Sequence, residues 1–154
     1  MTVIVEDGSI VAGANSFVTI ADVQAYASAR GFSITTDETK IEIGITLSID
    51  YMRSKNYIGD LVDDTQPLPF PRKNIDNVLD TEIPGDIKNA QVELVIASFD
   101  DELLSRSGGA NITREKVGEL ETEYAGQGLS NSFTSQRVNM YLAKYIRPFQ
   151  ACRI

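Results

Sequence analysis

Histidine and tryptophan are absent from this 154-residue chain, and cysteine occurs once. Without histidine the commonest general base and the commonest metal ligand are gone, which removes Ser-His and Cys-His triads and most zinc sites. The lone Cys152 has no internal disulfide partner, and its place near the C-terminus argues against a catalytic thiolate. No apolar run approaches the roughly 20 residues of a membrane span. The opening Met1-Thr2-Val3-Ile4-Val5-Glu6-Asp7 lacks the basic start and long apolar stretch of a secretion signal. These absences lead us to expect no membrane partner, no metal, no cofactor and no enzymatic activity. Any chemistry would fall to carboxylates, Lys or Tyr.

Basic residues are also scarce, with Lys+Arg 14 against Asp+Glu 22 and a net charge of -8. Binding by phosphate neutralisation needs clustered Lys and Arg. This sequence offers scattered pairs such as Arg53/Lys55 and Arg72/Lys73. A hydrophobic fraction of 42% at this length fits one domain with a real core.

What is present is mostly helical pattern. Thr2 to Val5 has the β-branched composition of a short edge strand, and Glu6-Asp7-Gly8 is a turn signal. Thr19 predicts the N-cap of a helix over Ile20 to Arg30, with Val23, Tyr26 and Ala27 inward and Gly31 ending it. Asp37 or Thr36 predicts the cap of a longer helix reaching about Lys55, with the face Ile41, Ile45, Ile49 and Met52. Gly44 inside it suggests close approach of a neighbour, and Tyr51 and Tyr57 read as core rim. Pro84 fits the first turn of a central helix whose apolar face is Ile87, Ala90, Leu94, Ala97 and Leu104, interrupted at Asp101. Ser132 or Thr134 predicts the cap of a last helix with the face Val138, Tyr141, Leu142 and Tyr145, and Pro148 stops it.

Between these helices lie two extended stretches. Asp60, Asp63 and Asp64 lack the alternate spacing, glycine and closing glutamate of a calcium loop, so they read as solvated. Phe70, set between Pro69 and Pro71, has a pre-set extended backbone and reads either as a core plug or as an anchor for another protein. From Lys116 to Tyr124 the period becomes two. Val117, Leu120, Thr122 and Tyr124 alternate with Glu119, Glu121 and Glu123, as in one strand lacking a partner. The predicted fold class is mainly α: a small bundle of three to four helices with a short N-terminal strand and an extended β-like arm before the C-terminal helix. As a single domain it divides into a core over 1–106, an arm over 107–130, and a C-terminal helix with docking tail over 131–154.

Ile4-Val5-Glu6-Asp7-Gly8, then Ala14 to Asp22 leading to Tyr26 and Ala29-Arg30-Gly31, then Leu68-Pro69-Phe70-Pro71-Arg72 and Ile83-Pro84, and finally Glu115 to Tyr124, form an ordered set along the chain. The set resembles the head-to-tail adaptor (head completion, or neck connector) proteins of tailed bacteriophages, which usually show tryptophan in place of Phe70. The resemblance implies a structural subunit of a dodecameric ring, assembled in the bacterial host cytoplasm and located in the virion neck. Its partners are then the portal protein and the next neck or tail protein. Phe70, Arg72, Val117, Leu120, Tyr124, Tyr145, Phe149 and Ile154 become the candidate interface, and Glu119, Glu121 and Glu123 the candidate channel-facing acids. Duplex DNA passes through without specific binding, since such a ring carries on the order of a hundred negative charges. Related sequences also carry the label of DnaT-like single-stranded DNA-binding proteins, which supplies the alternative. The net charge and the lack of a basic groove interleaved with stacking aromatics argue against that alternative.

Overall fold

Local signals set most helix starts. The computed structural model describes residues 1–104, 114–117, 120–123 and 133–148, in the order α1 (Ile20–Ala29), α2 (Glu38–Arg53), β1 (Asp60–Leu61), β2 (Arg72–Lys73), α3 (Gly85–Ala97), β3 (Arg114–Val117), β4 (Leu120–Glu123) and α4 (Gln136–Leu142). At α1 the Thr19 hydroxyl accepts from the Asp22 N–H while the Asp22 carboxylate accepts from the Thr19 N–H, a reciprocal capping box. Asp37 caps α2 by accepting from the N–H groups of Thr39 and Lys40. The protein is a small, mostly helical domain, as its apolar spacing predicts.

Helix α3 is central. It packs on α2 along one side and on α4 along another, with α1 laid against the pair. Gly44 lets α2 approach it closely, because an added Cβ there would meet Ser98 Oγ at 2.8 Å and Val95 Cγ1 at 3.0 Å. Two apolar clusters result. One joins Val23 and Tyr26 of α1 to Ile41, Ile45, Val92 and Val95. The other joins Ile49 and Met52 to Ile87, Leu94, Val138 and Leu142, and takes in Phe17, Tyr57, Phe70 and Tyr145 from the loops. Burying each large side chain is worth about 1.5–3 kcal/mol before entropy is counted.

Several expectations need correction. The N-terminal strand is a single parallel bridge, Val5 to Ser16. Pro84 is the N-cap of α3 rather than a first-turn residue, and α3 ends at Ala97, so Leu104 is exposed while Leu103 enters the core. Ser98 and Phe99 turn the chain there, and Asp101 has no helical face to interrupt. Helix α4 is capped by Ser135 and stops at Leu142, before Tyr145. The predicted single strand over 116–124 is an antiparallel pair, with Arg114 opposite Glu123, Glu115 opposite Thr122, Lys116 opposite Glu121 and Val117 opposite Leu120. The two strands pair with each other within the chain. By register, Glu121 and Glu123 each stand across from a basic residue, which is not the unbroken acidic row the alternation suggested. Glu119, Tyr124, Phe149 and Ile154 lie outside the described residues.

Candidate functional site

Phe70 decides the local architecture. It is fully buried, with edge-to-face rings of Tyr57 at 5.2 Å, Tyr145 at 5.9 Å and Phe17 at 6.4 Å. Of its two readings, core plug and partner anchor, the side chain occupies the first. The Tyr57 hydroxyl donates to the Met52 carbonyl at the end of α2, and burial pushes that phenol well above its ordinary range. On this aromatic floor three chain segments meet. Ile58 N–H donates to the Tyr145 carbonyl and Arg147 N–H to the Asn56 carbonyl, around an antiparallel bridge between Tyr57 and Ile146. Strands β1 and β2 bring Arg72 alongside.

Two guanidiniums staple these segments. Arg72 donates from Nε to Ile58 O (2.8 Å), from Nη1 to Pro69 O (3.2 Å) and from Nη2 to Gly59 O (3.1 Å). Arg147 donates from Nε to Tyr57 O (2.9 Å) and from Nη2 to the same Gly59 O (3.1 Å). One carbonyl thus holds both cations side by side. Gly59 is required there, because its φ is +71° and an added Cβ would sit 2.4 Å from Lys73 O. Burial, and then the charge of Arg147, pull the Arg72 guanidinium below its usual pKa, although Asp60 opposes the shift. No carboxylate among the described residues forms an ion pair with either arginine.

These groups line an open cleft of about 870 Å³. Lys55, Asn56, Arg72 and Arg147 line it together with the apolar Leu61, Ile146 and Pro148. Lys55 Nζ lies 4.3 Å from the centroid of the Tyr51 ring, and Lys73 follows Arg72 on β2. The cleft therefore gathers positive charge in a chain that is acidic overall. Of the predicted site residues it brings together Arg72 and the backbone around Tyr145; Val117 and Leu120 belong to the hairpin instead. Arg147 and Lys55 carried no prior signal as partners, because they meet only when the C-terminal segment pairs with residues 56–58.

A second polar cluster ties α1, α3 and α4 together. Glu93, almost fully buried, accepts from the Tyr26 hydroxyl at 2.5 Å and from Arg137 Nη1 at 3.2 Å, and the Tyr26 and Tyr141 hydroxyls are 3.2 Å apart. Burial, and then the bond to Glu93, push the Tyr26 phenol up, while Glu93 raises the pKa of Arg137. Every buried side-chain polar atom among the described residues has a partner. A smaller recess of about 430 Å³, lined by Ile43, Leu47, Ile96 and Phe99 together with Lys40 and Asp100, lies elsewhere on the surface. No helix among the described residues is long and apolar enough to cross a membrane, and no group of three acidic or thiol side chains there could hold a metal ion.

Residues 1–153 match the family model described as "Putative DnaT-like ssDNA binding protein". The chain belongs to that family. No curated protein and no solved structure matches it. Membership over the whole length corrects the adaptor resemblance, and with it the dodecameric ring, the portal and tail partners, the phage-neck role and the duplex DNA conduit. The quoted motifs are short, and a capped turn or an X-Pro-X-Pro segment serves any helical core of this kind. For a member of the DnaT-like family, the basic cleft becomes the feature that needs explaining.

Proposed function

We propose that this protein binds single-stranded DNA, without chemistry of its own, by phosphate contacts in the cleft lined by Lys55, Arg72 and Arg147. The observation that carries the reading is the Arg72–Arg147 pair, held together on Gly59 O with no carboxylate in ion-pair contact among the described residues. Family membership supports the same reading. A net charge of -8 is no obstacle to a local site, since clefts concentrate field and the rest of the acidic surface keeps the strand from sticking elsewhere. Tyr51 and Tyr57 are buried beneath the cations, so affinity comes from charge more than from base stacking.

Fluorescence-polarisation titration of a labelled oligothymidylate across a salt series tests this. Three phosphate contacts predict a log–log slope of about −2, and Arg147→Gln is expected to make the slope shallower by roughly one contact. Absence of binding at low salt overturns the proposal.

A further inference from the structure

Among the described residues the cations of the cleft are gathered at one place, whereas a strand gripped along its length needs a stripe. Away from the cleft, Arg137 is paired with Glu93 and Lys144 with Asp86, and Arg30 lies over the Tyr26 ring. None of these extends the positive charge into a track. A bound strand interior also needs exposed aromatic platforms for successive bases, and the tyrosines at this site are buried. Within the cleft the supply of donors is concentrated. A guanidinium has five N–H groups. The described bonds use three on Arg72 and two on Arg147, which leaves two and three outside those bonds, and Lys55 lines the same cleft. A phosphodiester carries one negative charge, whereas a terminal phosphomonoester carries about −1.5 to −2 at neutral pH and offers three acceptor oxygens. Paired arginines suit that dianion because a planar fork can donate to two oxygens at once.

Resting on the single-strand reading above, we infer that the cleft recognises the phosphorylated end of a strand. Arg72, Arg147 and Lys55 hold the terminal phosphomonoester, and the apolar wall of Leu61 and Ile146 meets the last nucleotide.

The test compares oligothymidylates of one length as 5′-phosphate, 3′-phosphate, unphosphorylated linear and ligated circular forms, by polarisation with the full chain. The expected result is that one phosphorylated end binds about tenfold more tightly than the unphosphorylated and circular forms. Whichever of the two ends is preferred names the end recognised, and inorganic phosphate in excess removes the advantage. Arg147→Gln abolishes the preference, and Lys55→Gln, which breaks no backbone contact, reduces it. Lys88→Gln, an equal loss of charge on the exposed side of α3, leaves it intact. Equal affinity for circular and phosphorylated strands, or a preference surviving both cleft variants, overturns end recognition while leaving single-strand binding in place. No binding of any form overturns both.

Discussion

Phe70→Ala lowers the free energy of unfolding by about 3–5 kcal/mol, the range for removing a fully buried aromatic ring. The ring is enclosed by Phe17, Tyr57 and Tyr145, three aromatics delivered by three separate segments, so no single neighbour can move in to fill the space. The edge-to-face contacts add to the lost transfer energy. A domain of this size has only about 5–15 kcal/mol in total, so the variant loses a large share of its stability. Urea unfolding followed by circular dichroism measures it: the midpoint falls while the slope is unchanged. Because Tyr57 and Tyr145 carry the backbone that holds the two arginines, oligonucleotide binding weakens in the same variant. A loss below about 1 kcal/mol contradicts the placement of this ring as the keystone of the second cluster.

Glu6→Ala is expected to cost a similar amount, about 3–5 kcal/mol, by a different route. Glu6 is buried, and its carboxylate accepts the N–H groups of Gly8 and Ile10 on Oε1 and of Val11 on Oε2, at 2.8, 2.9 and 2.8 Å. Ile10 has φ of +61°, a costly conformation for a β-branched residue, and the carboxylate holds it there. Truncation leaves three donors without their acceptor in a partly buried loop. Glu6→Gln separates shape from charge: its amide NH2 must face an N–H, so it recovers only part of the loss. Thermal unfolding of the three proteins should rank them wild type, Glu6→Gln, Glu6→Ala, and equal stability of Glu6→Gln and wild type contradicts the account.

The helices were legible because their signals are local. Thr19 and Asp22, or Asp37 and the apolar spacing from Ile41 to Met52, specify α1 and α2 within a single stretch of chain. The end of α3 was not, since Leu104 continues the period although the chain turns at Ser98, and only tertiary packing of Leu103 decides between them. Glu6 read as part of a turn because nothing nearby shows that its carboxylate is folded inward onto residues 8–11. The reversal within 114–123 leaves a mark in the sequence: Val117 and Leu120 are three residues apart, so the alternation changes phase at Gly118-Glu119, where a single strand would keep it. The cleft leaves no such mark: Arg72 and Arg147 become neighbours only through Gly59. A net charge of -8 averages over the whole chain and carries no information on where the cations gather.

The most direct measurement is an amide ¹H–¹⁵N spectrum of the full chain titrated with a short oligothymidylate. Shift changes concentrated at residues 54–61, 72–73 and 146–148 are the predicted result. Changes centred instead on the recess at Ile43, Leu47 and Phe99, or on the Glu93 cluster, with the cleft unmoved, contradict it.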